Sequence, residues 1–190
     1  YGGYEKTVNE IIENVRQHGD KALFDYTEKF DHCSLSRETV QVTREEIEEA
    51  YTKISPEFVA VMKKSAENIR AFHEKQLHAS WIIPKEDGTI LGQKILPIAI
   101  SGVYVPGGKA AYPSSVLMNV LPAKVAGVSR IIMTTPPGKD GKVNPGTLVA
   151  ADIAGVDEIY KVGGAQAIAA MAFGTESIPK VDKITGPGNI

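Results

Sequence analysis

Residues 98–108 read Ile-Ala-Ile-Ser-Gly-Val-Tyr-Val-Pro-Gly-Gly, and this stretch decides the fold. From Ile98 to Val105 the residues are almost all apolar, which is typical of a strand buried on both faces of a parallel sheet. The Pro-Gly-Gly that follows breaks the strand and starts a turn. We therefore predict that a buried strand opens an α/β unit at this point in the chain.

Strand-like and helix-like segments alternate from this strand onward. A helix is expected from about Ser114 to Ala126, and the later strand-like runs are Arg130 to Thr134, Glu158 to Val162 and Asp182 to Thr185. Alternation at this spacing predicts parallel strands joined by right-handed crossovers. We predict an α/β fold in which residues 98–190 form a Rossmann-like parallel sheet.

A short pattern occurs twice in this half of the chain. Ala126-Gly127-Val128 precedes the second strand, and Ala154-Gly155-Val156 precedes the third. Each glycine fits the position just after a helix, where a positive φ costs glycine little. We predict that the same helix-to-strand joint is used at both places.

Residues 1–97 are more charged and are predicted to be mainly helical, forming part of a first domain. Thr7-Val8-Asn9-Glu10 and Thr43-Arg44-Glu45-Glu46 both match the capping box that begins a helix. Gly19 is expected to end the first helix and Asp20 to cap the second.

Two further signals complete this first region. Ser55-Pro56 predicts another helix start, because proline suits the first helical position. Asp87-Gly88 lies between two extended runs, and this dipeptide is the strongest short signal for a β-hairpin. Residues 39–42 form a short β-like run.

The composition excludes several classes of function. The chain has 190 residues, a net charge of −2 and 43% hydrophobic residues, as expected of a globular protein without a basic nucleic-acid surface. No apolar run approaches the roughly 20 residues that span a bilayer. A single cysteine, Cys33, excludes an internal disulfide. Its neighbour His32 suggests a nucleophile pair, but adjacent residues rarely face each other, and we favour a structural role.

Three polar residues stand at the predicted carboxyl ends of the strands, where ligands bind in such sheets. Tyr104 closes the first strand, Gln166 follows Gly163-Gly164, and Asn189 follows Gly186-Pro187-Gly188. Glycine-rich turns allow a close approach to a ligand, and three such turns at one edge favour a ligand cleft. The alternative is that these are ordinary turns whose polar residues bond the local backbone.

The usual nucleotide and metal motifs are absent from the sequence. No Gly-x-Gly-x-x-Gly follows the first strand, no acidic residue closes the second strand, and no Walker A motif is present. His73 and His78 are five residues apart, whereas a zincin pair needs four. We place these histidines at the solvated end of a helix.

Long blocks of the sequence together point to one known family. At the start these are Thr7-Val8-Asn9-Glu10-Ile11, Gly19-Asp20 and Lys29-Phe30-Asp31. The other blocks are residues 102–108, Val116-Leu117-Met118, Pro122-Ala123, Ala126-Gly127, residues 162–170, residues 173–184 and Gly186-Pro187-Gly188-Asn189. These blocks cover nearly the whole chain, and they resemble the histidinol dehydrogenase family.

The resemblance implies an activity and a set of cofactors. The family oxidises L-histidinol to L-histidine through an aldehyde, with two NAD⁺ and one zinc ion, in L-histidine biosynthesis. Tyr104, Gln166 and Asn189 match the family's NAD-contacting positions. The resemblance also implies a cytoplasmic homodimer that acts on a small molecule, without a nucleic-acid or membrane partner.

The resemblance further implies that the chain is the N-terminal portion of such an enzyme. The family's zinc ligands, general base and water-activating Glu would lie beyond Ile190, so we expect no catalytic and no metal-binding residue among these 190. The chain alone is expected to be inactive. Two alternatives are a non-catalytic α/β module that binds a nucleotide or phosphate ligand, and a structural piece that pairs with the rest of its protein.

Overall fold

A computed structural model describes residues 2–107 and 112–188. Within these residues the helices are α1 (Gly2–His18), α2 (Asp20–Asp31), α3 (Arg44–Thr52), α4 (Pro56–Glu74), α5 (Pro113–Val125), α6 (Pro145–Ala154) and α7 (Gly164–Phe173). The strands are β1 (Trp81–Pro84), β2 (Ile90–Gln93), β3 (Ile100–Tyr104), β4 (Arg130–Thr134), β5 (Glu158–Tyr160) and β6 (Lys183–Thr185).

The central sheet has the strand order β5-β4-β3-β6, and all its pairs are parallel. The chain moves outward from β3 through β4 to β5, and then crosses back to place β6 on the other side of β3. The predicted α/β fold with a Rossmann-like parallel sheet is therefore confirmed.

Two hydrophobic clusters cover the two faces of this sheet. Ile131 and Met133 of β4 point to one face, where α3, α4, α5 and α6 pack, while Ile132 points to the other, where α1, α2 and α7 pack. All three side chains are fully buried. The alternation follows from the two-residue period of a strand, and it explains why Ile131, Ile132 and Met133 are all apolar, whereas Arg130 at the start of the strand pairs with Glu158.

Helices from residues 1–97 contribute to both clusters. Val15 of α1 and Leu23 of α2 pack with α7, and Met62 of α4 packs on the other face. The β-like run at residues 39–42 adds a bridge to the sheet edge, because Val42 N–H donates to the Ile159 carbonyl and Lys161 N–H donates to Val40. The boundary at residue 97 remains a prediction.

The predicted hairpin is confirmed. Strands β1 and β2 pair antiparallel, and Gly88 in the turn has a φ of +85°. The predicted joints are also confirmed, since Gly127 and Gly155 both have a φ of +85°. The capping box at Thr43 and the Ser55 cap are both formed.

Two cap predictions are wrong. Helix α1 begins at Gly2, so Thr7 lies inside it and its hydroxyl donates to the Gly3 carbonyl, one turn back. The residues before Thr7 are compatible with a helix, and a capping pattern does not by itself prevent the helix from starting earlier. Gly19 ends α1 as predicted, but Asp20 does not cap α2: its carboxylate turns away to bind Ser177 and Arg37.

Candidate functional site

The strand order creates a crevice at the carboxyl ends of β3 and β6, because the chain leaves β3 in one direction and returns on its other side. A cavity of about 480 Å³ lies at this edge. Its lining includes Tyr104 at the end of β3, Gly107 after β3, Gly164 after β5, and Pro187 and Gly188 after β6. This volume is within the range of about 300–1,000 Å³ typical of small-molecule sites.

Tyr104 is placed at this crevice by its position at the end of β3. Its hydroxyl oxygen accepts the Gly164 N–H at 3.2 Å, so the hydroxyl proton is left to donate to another group. The backbone of Gly186 lies against the Tyr104 carbonyl so closely that a Cβ at Gly186 would collide with it. Glycine at 186 therefore allows the ends of β3 and β6 to approach each other.

Pro136, which follows β4, is held between two glycines. A Cβ at Gly163 would lie 2.6 Å from Pro136 Cβ, and a Cβ at Gly107 would collide with Pro136 Cγ. The turns after β3, β4 and β5 therefore pack against one another, because Gly107 and Gly163 leave room for the Pro136 ring. Gly163 serves this packing and is not among the residues that line the cavity.

Gln166 is in the first turn of α7 and is buried, with 1% of its surface exposed. Its side-chain amide lies under the turn at Gly164, where a Cβ would approach Gln166 Oε1 to 2.6 Å. Gln166 is therefore next to the cavity but does not line it in this structure. Its assignment to a cofactor stays a prediction.

Asn189 lies outside the described residues. Its neighbours Pro187 and Gly188 do line the cavity. Of the three predicted cofactor residues, Tyr104 and the turn before Gln166 therefore lie at one edge of the sheet. The assignment of Asn189 stays a prediction.

Three lining residues were not singled out by sequence reasoning. Tyr112 and Ser115 belong to the start of α5, whose N-terminal end faces the cavity, where the partial positive charge of the helix favours an anion. Asp31 is the last residue of α2 and lines the same cavity. Burial raises the pKa of the Asp31 carboxyl, and the charge of His32 partly opposes this. No local pattern places Asp31 here; only Lys29-Phe30-Asp31 in the family resemblance pointed to this segment.

A second cavity of about 360 Å³ continues the first along the strand ends. The two share Pro106, Gly107 and Pro136 in their linings. Lys142 on its rim is paired with Glu49 at 3.0 Å. The two cavities together form an elongated groove across the ends of β3 and β4, which suits an extended ligand.

The described residues contain no group of three or more His, Cys, Asp or Glu side chains that could hold a metal ion. His73 lies in the last turn of α4, as predicted. Cys33 is buried, and burial is the main cause that raises the pKa of its thiol. A buried thiol that resists ionisation favours the structural interpretation of this residue.

A larger cavity, of about 630 Å³, lies at the opposite edge of the sheet. Its lining includes Ile98 and Ser101 near the start of β3, Val128 before β4 and Lys183 at the start of β6. Ligands of doubly wound sheets bind at the carboxyl edge, so we assign the candidate site to the crevice at Tyr104. None of the described helices is both long and apolar enough to cross a membrane.

The fold and the crevice define an α/β protein of the doubly wound class with its candidate site at the switch point of the strand order. The family model for histidinol dehydrogenase matches residues 2–190. The chain belongs to the histidinol dehydrogenase family.

Individual relatives agree with this family. The chain is 60% identical to histidinol dehydrogenase of Clostridium acetobutylicum over 185 residues, which is 97% of this chain and 42% of the relative. It is 58% identical to that of Bacillus subtilis over 185 residues, covering 97% and 43%. The crystal structure of histidinol dehydrogenase from Elizabethkingia anophelis superposes with a TM-score of 0.91 at 41% identity, covering 97% of this chain and 42% of that one. The chain thus spans about two fifths of the length of these relatives.

Proposed function

We propose that this chain is the dinucleotide-binding part of an enzyme that oxidises L-histidinol to L-histidine with NAD⁺ and zinc. The observation that carries the proposal is the family match over residues 2–190, together with relatives of about 60% identity that are all named histidinol dehydrogenase. As in the family, we propose that the whole protein is a cytoplasmic homodimer.

The crevice at the ends of β3 and β6 supports a dinucleotide site. Bound NAD⁺ would supply the hydride acceptor for the oxidation. The N-terminal end of α5 would face the pyrophosphate, because a helix N-terminus carries a partial positive charge. Tyr104 would donate its free hydroxyl proton to the cofactor. Gln166 would support the Gly164 turn or contact the cofactor through its amide, and Asn189 is proposed as the third cofactor residue.

We propose no zinc site among the described residues, where no group of three or more His, Cys, Asp or Glu side chains could hold a metal ion. We therefore place no zinc-dependent step on them. The four histidines are also not among the residues that line the crevice in the described part of the chain. We propose that the zinc ligands, the general base and the residue that activates water are supplied by the rest of the protein.

The proposal is tested with protein expressed from the complete reading frame. We expect histidinol-dependent formation of NADH, with L-histidine as the product and loss of activity after zinc removal. The 190-residue chain, assayed beside it with added zinc, is expected to give no turnover and to keep no tightly bound zinc after dialysis. Turnover by the 190 residues would show that the catalytic groups lie among them.

The same assay separates the alternative function. A complete protein that binds NAD⁺ but does not oxidise histidinol would support a non-catalytic nucleotide-binding module. A complete protein that neither binds NAD⁺ nor oxidises histidinol would contradict the proposed function.

A further inference from the structure

The dinucleotide crevice contains an acidic side chain whose role the proposed function leaves open. In the described lining, Asp31 is the one charged residue among tyrosines, prolines, glycines and a serine. It comes from α2, far from the sheet in sequence, and no step of the proposed reaction uses it.

Asp31 has unused hydrogen-bonding capacity on the buried side of its carboxyl. Among the described residues, its Oδ2 atom is the buried side-chain oxygen or nitrogen without a hydrogen-bond partner. A buried acceptor without a donor is costly, so the carboxyl would gain from a donor if it turned toward the cavity that Asp31 lines. In its ionised form it accepts hydrogen bonds and repels phosphate, so a ligand group that suits it carries hydroxyl or amino donors.

The place of Asp31 matches a gap in the usual dinucleotide pattern. In Rossmann folds an acidic residue at the end of the strand beside the first strand binds the 2′-hydroxyl of the adenosine ribose. Here that strand is β4, which ends at Thr134, is followed by Thr135 and carries no acid. Pro136, the next residue, lines the cavity together with Asp31.

The surroundings of Asp31 also lie on the β4–β5 side of the crevice. Cys33, two residues on, has its sulfur beside Gly141 in the loop after β4. Asp31 itself lines the cavity together with Pro136 after β4 and Gly164 after β5. The C-terminal end of α2 is therefore beyond the ends of β4 and β5, which is the side of the usual acidic residue.

We propose that Asp31 binds the adenosine ribose hydroxyls of the dinucleotide and selects it against its 2′-phosphorylated form. This inference rests on the proposed function, because it needs a dinucleotide in this crevice. The carboxylate supplies from another element the acidic group that the sheet sequence lacks. A 2′-phosphate would bring its negative charge against Asp31 and would remove the 2′-hydroxyl donor.

The test is titration calorimetry on protein from the complete reading frame with NAD⁺, its 2′-deoxyadenosine analogue and NADP⁺. For the wild type we expect the analogue to bind about tenfold more weakly than NAD⁺, as for a lost hydrogen bond to a charged acceptor. In Asp31→Asn this difference should shrink to about threefold or less, and the preference for NAD⁺ over NADP⁺ should narrow. Asp25→Asn, an exposed residue on the same helix, is the matched control and should behave as wild type.

The outcomes separate the inference from the proposed function. Wild type that binds NAD⁺ and its 2′-deoxy analogue equally would overturn the role of Asp31 without any variant. A difference that is the same in wild type and Asp31→Asn would overturn it as well. Wild type that does not bind NAD⁺ at all would contradict the proposed function itself.

Discussion

Gln166 joins the sequence pattern to the crevice at the scale of single residues. Its amide is buried under the turn whose Gly164 lines the cavity and donates to Tyr104. A side chain in that place controls the shape of the turn whether or not it touches the cofactor. Removal of the Gln166 amide should therefore weaken cofactor binding more than substrate binding.

We predict that Gln166→Ala in the complete protein raises the KM for NAD⁺ more than the KM for histidinol. Loss of the amide leaves a void under the Gly164 turn and loosens the cofactor edge. Steady-state kinetics with each substrate varied in turn measures both constants. Gln17→Ala, at an exposed position near the end of α1, is the control and should change neither. Equal increases in both constants would argue against a cofactor role.

Asp20 is a buried carboxylate that joins two distant parts of the chain. It is 3% exposed and accepts hydrogen bonds from Ser177 Oγ at 2.7 Å, Ser177 N–H at 3.1 Å and Arg37 Nε at 3.0 Å. Its own N–H donates to Glu176 Oε2, and this bond is the main cause that lowers the pKa of Glu176. The corner between α1 and α2 is thereby fixed to the segment after α7.

We predict that Asp20→Asn lowers the free energy of unfolding by about 2 kcal/mol, because an amide nitrogen would face donors that now meet a carboxylate. Urea unfolding of the purified chain measures this loss. Asp25→Asn, exposed on the same helix, should stay within about 0.5 kcal/mol of the parent. Equal effects of the two substitutions would mean that the Asp20 network contributes nothing beyond the average surface charge.

At the scale of elements, α3 is attached to α6 by a polar contact. Tyr51 donates its hydroxyl proton to Asp152 Oδ2 at 2.8 Å, and Arg44 binds the other oxygen at 2.7 Å. Burial, aided by the hydrogen bond to Asp152, raises the pKa of Tyr51 to about 12. The contact thus requires the phenol in its protonated form.

The Tyr51 contact should be weakened by alkali. The folded pKa lies above the unfolded value of about 10, so its contribution is complete below about pH 10 and is lost as the pH rises toward 12. We predict that Tyr51→Phe costs about 1 kcal/mol of unfolding free energy at pH 8 and less at pH 11. Denaturant unfolding of both proteins at both pH values gives the two differences. A difference that is constant or larger at pH 11 would contradict the assignment.

The repeated joint before β4 and β5 depends on backbone conformation. Gly155 has a φ of +85°, and a Cβ there would meet Lys124 Cε at an ordinary 3.4 Å. We predict that Gly155→Ala costs about 1–2 kcal/mol of unfolding free energy, because alanine is strained at positive φ. Urea or thermal unfolding measures this loss. Gly3→Ala, in α1 with open space around it, should not lower the unfolding free energy measurably. No loss at Gly155 would mean that the joint adapts to a side chain.

Sequence patterns predicted the elements that depend on their own residues. Strand β4 was predicted to the residue, because a run of apolar residues between a glycine joint and a proline turn leaves little alternative. The cap predictions at Thr7 and Asp20 were wrong because a capping side chain can be replaced by other contacts. The Asp20 carboxylate instead accepts a hydrogen bond from Ser177, which is distant in sequence. Asp31 was not predicted as a cavity residue, since its place depends on how α2 packs beyond the sheet.

At the scale of the whole molecule, both faces of the sheet are covered by helices from either side of residue 97. The hairpin is an exception, because Ile82 and Ile90 are 71% and 69% exposed. The carboxyl edge, in contrast, is built from short packed turns that leave a groove. The proposed function therefore requires the cofactor to bind at the carboxyl edge of the sheet.

The central claim is tested most directly by hydrogen–deuterium exchange on protein from the complete reading frame, with and without saturating NAD⁺. The account predicts slower exchange in peptides that contain Tyr104, Gly164 and Gly188 when NAD⁺ is bound. Peptides at the opposite edge, around Ile98 and Val128, should be unchanged, and they serve as the internal control. Slower exchange at that opposite edge, with none at the Tyr104 crevice, would contradict the account.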